Sequence, residues 1–233
     1  MHPRLLLLIP CICLTACAAI SVAKEDGFVA VFDGKTLDGW DGDPRFWSVQ
    51  DGTITGQTTA DNPTEGNTFL IFTGDDVDDF ELKLQYRIVG GNSGIQYRSF
   101  KVPDAKWVVG GYQADFEAGE TYSGILYGER FRGILAGRGQ KTVIQEGGQV
   151  KVVGSVGDSA EIQSRIRNED WNDYHIIARG NSFVHKINKI VTCQATDEDS
   201  AARASGILAL QLHAGPPMKV QFRDVMLKRA SGK

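Results

Sequence analysis

Glycine-bearing turn signals recur along the whole chain: Asp33-Gly34, Asp38-Gly39, Asp51-Gly52, Gly90-Gly91-Asn92, Gly110-Gly111, Gly147-Gly148 and Gly180-Asn181. Such pairs supply the positive-φ residues that tight turns require. Between them lie short segments of alternating character, of which Glu81-Leu82-Lys83-Leu84-Gln85-Tyr86-Arg87 is the clearest. Period-two alternation belongs to strands with one face on a core and one in water. Candidate strands run over 46–50, 53–57, 69–72, 80–88, 93–98, 112–117, 124–127, 141–146, 174–179, 182–187, 190–195, 207–213 and 220–228. Only residues 159–166 read as helical, because Ile162 and Ile166 stand four apart. Trp171 is expected to be a core anchor at one sheet edge. No repeat or linker divides the chain. Many short strands in one domain predict an all-β jelly-roll sandwich of two antiparallel sheets, with no second domain.

Residues 1–23 read as an export signal outside the fold. His2 and Arg4 precede the apolar run Leu5-Leu6-Leu7-Leu8-Ile9, and the apolar stretch is too short to span a bilayer. Leu14-Thr15-Ala16-Cys17 resembles the lipobox of a bacterial lipoprotein, in which Cys17 would be acylated and would tie the domain to a membrane. The alternative is ordinary cleavage after Ser21-Val22-Ala23. Either reading places the domain in the periplasm or on the envelope. Of the four cysteines, only Cys193 lies outside the signal, so no disulfide or zinc-thiolate cluster forms within one mature chain. The net charge of −4 argues against nucleic acid, which selects a basic stripe.

Two strand-like segments concentrate the chemistry: Asn92-Ser93-Gly94-Ile95-Gln96-Tyr97-Arg98 and Gly111-Tyr112-Gln113-Ala114-Asp115-Phe116-Glu117. Alternation puts Gln96 with Arg98, and Gln113 with Asp115 and Glu117. If the strands are neighbours, one face presents an arginine, two carboxylates and two amides. A solvated sheet face has a similar polarity; the flanking glycines point instead to close approach by a ligand or by backbone. Gln211 and His213 share a face near the end of the chain. His213 is a candidate ligand or acid/base, and His185 a weaker one among apolar neighbours.

Several ordered motifs give this chain a resemblance. The segments Val31-Phe32-Asp33-Gly34-Lys35-Thr36-Leu37-Asp38-Gly39-Trp40, Asn92-Ser93-Gly94-Ile95, Gly111-Tyr112-Gln113-Ala114-Asp115, Gly124-Ile125-Leu126-Tyr127, Trp171-Asn172 and Leu210-Gln211-Leu212-His213-Ala214-Gly215-Pro216-Pro217-Met218 are similar, in order and spacing, to the 3-keto-disaccharide hydrolase domain family. The resemblance covers about residues 27–229. It implies a concanavalin A-like jelly roll, bacterial export and cleavage of glycosides oxidised at C3, with a divalent metal in some members. Two positions depart from the family. Gln113 stands where many members carry Glu, and Asn188-Lys189 stands where a hairpin Asn-Gly is usual.

A C3 ketone acidifies the C2 proton, so a base can remove it and expel the C1 substituent; water then completes net hydrolysis. This chemistry needs a base and a partner for the enolate oxygen. Asp115, Glu117, Arg98 and His213 are the catalytic candidates, and Asp115, Glu117 and His213 the candidate ligands of a divalent metal ion. Gln96, Tyr112, Gln113, Gln211, Arg132 and Trp107 are the candidates for contact with an oxidised di- or oligosaccharide. Asp115-Phe116-Glu117-Ala118-Gly119-Glu120 also resembles the laminarinase pattern Glu-x-Asp-x-x-Glu with its first two acids interchanged, although Gly119 is expected to end the strand before Glu120. The non-enzymatic alternative is a lectin-like module with Trp107 and Tyr122 as sugar platforms.

Overall fold

The computed structural model describes residues 27–230. In chain order the strands are β1 (Val29–Ala30), β2 (Trp40–Asp41), β3 (Trp47–Gln50), β4 (Thr53–Gln57), β5 (Thr68–Phe72), β6 (Phe80–Val89), β7 (Asn92–Lys101), β8 (Val109–Glu117) and β9 (Leu126–Glu129). They continue with β10 (Gly133–Ala136), β11 (Gln140–Gln145), β12 (Gln149–Ser155), β13 (Asn172–Arg179), β14 (Ser182–Ile187), β15 (Ile190–Asp197), β16 (Ile207–Leu212) and β17 (Lys219–Arg229). One short helix, α1 (Ser159–Gln163), is capped by the Asp158 carboxylate, which accepts from the backbone N–H groups of Ala160 and Glu161.

Two sheets result. The larger runs β12-β11-β15-β14-β13-β6-β17-β4-β3, with β1 also on β17; the smaller runs β10-β9-β8-β7-β16-β5-β2. Pairing is antiparallel except between β11 and β15. The core lies between the sheets and is rich in aromatic rings. Tyr86 of β6 meets Phe116 of β8 at 3.9 Å, and Phe183 of β14 meets Tyr112 of β8 at 4.6 Å. Alternation in β6 is unbroken from Phe80 to Ile88, each apolar residue buried and each polar one half-buried. The sequence reading locates thirteen of the strands. It misses β1 and β2, which have two residues each, and β10 and β12. Every residue of β12 is exposed, so no buried face imposes alternation on it.

Two expectations change once side chains are placed. Trp171 is no core anchor: it is half-exposed, with the guanidinium of Arg223 4.0 Å from its ring centre and that of Arg87 5.1 Å away. His185 is buried between the sheets against the Tyr97 hydroxyl at 2.9 Å, and desolvation pushes its pKa down to about 3, so it stays neutral. The turn at Asn188-Lys189 has φ of 49° and 71°, the left-handed pair of a tight hairpin. Asn188 offsets the strain: its amide donates to the Arg165 carbonyl, and its Oδ1 accepts from the Asp173 N–H. Lys189 makes no such compensation through its backbone conformation. Lys189→Gly should therefore raise unfolding free energy by about 1 kcal/mol, read from urea denaturation midpoints.

Arg98 is the largest departure. A register shift between Tyr97 and Phe100 breaks the β7–β8 ladder, and Arg98 takes φ 45°. The extra residue reverses side-chain parity, so Arg98 leaves the face of Gln96 and its place there passes to Ser99. The guanidinium, 1% exposed, ties down loops at the sandwich end. It donates to the carbonyls of Asp78, Gly180 and Arg203 and to the Asp79 carboxylate. Arg98→Lys should lose about 2–4 kcal/mol in chemical denaturation, because an ammonium cannot reproduce that planar fork in a buried site.

Candidate functional site

The outer face of the smaller sheet carries the candidate site. Register places Gly94 opposite Asp115, Gln96 opposite Gln113 and Asn92 opposite Glu117, all pointing away from the aromatic core. On the neighbouring strand, Ala209 pairs with Gln96, and Gln211 lies one rung from it on the same face. The Gln96, Gln113 and Gln211 side chains are all essentially buried. Such amides must be paired with one another to avoid a desolvation penalty.

The pairing is directional. The Ser99 hydroxyl donates to Gln96 Oε1, and Gln96 Nε2 to Gln113 Oε1. Gln113 Nε2 lies 3.4 Å from Gln211 Oε1, and Gln211 Nε2 3.5 Å from Glu129 Oε2. Asn67 Nδ2 donates to Glu129 Oε1 at 3.3 Å, while its own carbonyl accepts from the Ala214 N–H. The relay therefore ends on Glu129, which accepts from both Gln211 and Asn67. Three strand spacings, about 14 Å on a flat sheet, separate β16 from β9. Gln211 and Glu129 meet across that span because the sheet curls and this face is concave. Gly94 supplies the room: a Cβ there would lie 2.4 Å from Gln113 Cγ. The missing side chain lets Gln113 lie across β7 and reach Gln211.

Asp115 stands at the edge of this row, 6% exposed, with Oδ1 accepting from Asn92 Nδ2 at 2.9 Å. Burial holds its pKa at about 7, opposed by the hydrogen bonds from Asn92 and the Phe116 backbone and reinforced by the charges of Glu117 and Glu129. Tyr127 lies opposite Gln113 on β9. Its phenol pKa is raised by desolvation and by the charges of Glu129 and Asp115, which keeps it a neutral donor.

Glu117, Tyr112 and Arg132 part from this cluster, whereas His213 and Trp107 border it. Glu117 turns back into its own loop, where Oε1 accepts from the N–H groups of Thr121 and Tyr122. Glu120 is exposed beyond the end of β8, so the three acids of 115–120 do not share a strand. Tyr112 faces the core, and its hydroxyl donates to Asp197; Arg132 pairs with Asp197 and lies 3.5 Å from Asp199. Tyr112 and Asp197 are buried, and the partly buried Arg132 is spent on Asp197 and Asp199. His213 follows β16, half-buried, with Nδ1 donating to the Ala214 carbonyl at 2.5 Å. Trp107 has φ 55°, donates from Nε1 to Asp41 Oδ1 and carries the Lys106 ammonium 3.9 Å from its ring centre. It walls a cleft of about 520 Å³ that also contains Asn67, and so adjoins the amide row.

A divalent ion does not fit Asp115, Glu117 and His213. Glu117 is committed to its loop, and among the described residues no three His, Cys, Asp or Glu side chains gather in a metal-binding group. Sequence reading overlooked Asn92, Asn67, Glu129 and Tyr127 as site residues. Tyr127 and Glu129 alternate onto one face of β9, but nothing local marks that face as the one that meets the amide row. Asn67 gave no local signal, since only folding brings it to Glu129.

A model of the 3-keto-alpha-glucoside-1,2-lyase-like domain matches residues 27–228, nearly all of the described chain. The chain belongs to this family. A 3-keto-disaccharide hydrolase of Bacteroides thetaiotaomicron is 37% identical over 87 residues, a match spanning 33% of this chain and 29% of that protein. A protein from Parabacteroides distasonis titled a glycosyl hydrolase superposes with TM-score 0.57 at 17% identity, covering 88% of this chain and 94% of its own. A carbohydrate-binding module from Bacillus subtilis gives 0.53 at 17% identity, over 82% and 95%. These structures share the two-sheet jelly roll, and at such identity the likeness is one of fold. Asp115 and Gln113 sit on β8, next to the central strand β7 of the smaller sheet.

Asp115 imposes a pH signature on stability. An unfolded aspartate titrates near 3.9, whereas the folded group titrates at about 7, so between those values the native chain binds more protons. Stability contributed by this group is complete below about pH 4 and is lost as pH rises through 7. Asp115→Asn should therefore unfold at higher urea than the parent at pH 8, by up to roughly 4 kcal/mol, with the gain vanishing near pH 4. Parallel urea titrations at pH 4, 6 and 8 check this.

Proposed function

We propose that this domain cleaves the glycosidic bond of 3-keto-disaccharides, with Asp115 as the base that removes the C2 proton. The observation that carries the reading is a buried carboxyl with a pKa at about 7, set on a concave, amide-lined face of a family member. A base poised near neutrality combines a useful ionised fraction with sufficient basicity. Tyr127, a neutral donor opposite Gln113, stabilises the enolate oxygen in place of the displaced Arg98. Once protonated, the same carboxyl returns its proton to the departing C1 oxygen, and water adds to the enone. Gln113, an amide where many family members carry an acid, avoids a second negative charge beside Asp115. The Trp107 wall holds the sugar beyond the scissile bond. The site is proposed to work in the bacterial envelope, with Cys17 as a lipid anchor; that segment lies outside the described residues.

Purified protein incubated with native and 3-keto disaccharides provides the test. Only the oxidised sugars should release monosaccharide, and kcat should rise with pH through about 7 to a plateau as Asp115 ionises. Asp115→Asn should lower kcat by about 10²-fold or more with little change in KM. Equal cleavage of unoxidised sugars, or a fully active Asp115→Asn variant, would refute the reading. The half-buried Trp107 beside an open cleft favours a second reading, a carbohydrate-binding module, and binding without turnover of either sugar would select it.

A further inference from the structure

The outer face of the larger sheet gathers positive charge on a chain whose net charge is −4. Lys83, Arg87, Lys186, Lys219, Arg223 and Lys228 share this face. Register sets Lys228 beside Glu81 and Arg223 beside Gln85, and lines up Lys83 and Lys186 on one rung through His175. The strands that bear them, β14, β13, β6 and β17, are consecutive neighbours. The patch therefore extends roughly 14 Å across the sheet and about 30 Å along β17, more than a small ligand covers.

The acids on these strands do little to cancel that charge. Glu81 is taken by His175 and Arg179, and Asp224 comes no nearer than 3.8 Å to Arg223 Nε. Amide oxygens orient the cations instead. Arg87 donates from Nε and Nη2 to Gln221 Oε1, Arg223 Nε to Gln85 Oε1, and Lys219 Nζ to Gln50 Oε1. Gln221 is 5% exposed and is itself held by the Thr53 hydroxyl. A neutral acceptor fixes a cation and leaves its charge in place.

Two further observations select the partner. Trp171 is half-exposed beside Arg87 and Arg223, and the Arg223 guanidinium takes a ring face on which a sugar would stack, 4.0 Å from its centre. An indole among basic side chains suits a membrane interface, where its apolar body and polar N–H are both accommodated. The chain also enters the domain here. From Gly27 it passes into β1 on β17, with Phe28 beneath the Lys83 and Lys228 ammoniums at 4.3 and 5.7 Å. Cys17 stands ten residues before Gly27, a reach of at most roughly 35 Å.

We propose that the outer face of the larger sheet docks on an anionic phospholipid bilayer, its lysines and arginines against lipid phosphates and Trp171 at headgroup level. Docked in this way, the domain turns its concave face away from the membrane, toward dissolved sugars. The proposal rests on the envelope location read from residues 1–23, and it is independent of the reaction on the concave face.

Co-sedimentation of the full chain carrying Cys17→Ser with phosphatidylcholine vesicles, with and without roughly 30% phosphatidylglycerol, tests it. The apolar segment 5–14 is common to every arm, so the readout is the ratio of affinities for the two vesicle types. That ratio should be about 100-fold at low ionic strength and should collapse in about 0.5 M salt. Lys186 and Lys189 carry no hydrogen bond or ion pair among the described residues, so Lys186→Glu with Lys189→Glu should fold normally. Each change should lower the ratio about fivefold or more, whereas Lys101→Glu on the smaller sheet should leave it unchanged. Lipids with brominated chains should quench the parent's fluorescence and should quench Trp171→Phe much less. Equal affinity for the two vesicle types would overturn the proposal, as would an unchanged ratio in the Lys186 and Lys189 variant or an equal fall in Lys101→Glu. Undiminished quenching in Trp171→Phe would also overturn it. Binding to polygalacturonate in place of anionic vesicles would assign the face to an acidic polysaccharide instead.

Discussion

The outer face of the smaller sheet is polar yet dry, and most of the molecule's functional geometry follows from that constraint. A sheet face covered by water can carry glutamines in any rotamer. Once Gln96, Gln113 and Gln211 are removed from water, each amide has to find a partner, and the available partners fix its orientation. The row ends on Glu129, a carboxylate that accepts from both Gln211 and Asn67. Curvature of the sheet and the bare backbone at Gly94 make the row possible. The desolvation that orders the amides also raises the Asp115 pKa, so scaffold and candidate base share one physical cause.

Charged groups expected at the site serve the frame that holds it. Arg98 and the trio Tyr112, Arg132 and Asp197 use their hydrogen bonds to fasten loops where the two sheets meet. Removing these cations from the concave face leaves it with neutral donors and two buried carboxylates. Neutral donors stabilise a developing oxyanion without neutralising the base beside it, which suits proton abstraction next to a ketone. An arginine next to Asp115 would have pulled its pKa down and weakened it as a base.

Chemistry along this chain is distributed by parity and by breaks in parity. Where β7 and β8 run in register, alternation correctly assigns Gln96, Gln113 and Asp115 to one face. A single bulge after Tyr97 then turns Arg98 inward and presents Ser99 to Gln96. Glu117 keeps its parity but ends its strand, and free N–H groups in the following turn claim its carboxylate before any ligand can.

Local pattern alone determined most of the strands, their faces away from the bulge after Tyr97, the turns and the two segments that carry Gln96, Gln113 and Asp115, because alternation and turn chemistry act between near neighbours in the chain. Motif order was enough to identify the family. The tertiary structure decided which polar groups are partners. Asn67, Gln211 and Glu129 lie far apart in sequence and meet only because the sheet curls. The same holds for the pKa of Asp115, which reflects how completely distant segments exclude water from one carboxyl. Burial and long-range hydrogen bonding are properties of the assembled sandwich, and no window of sequence contains them.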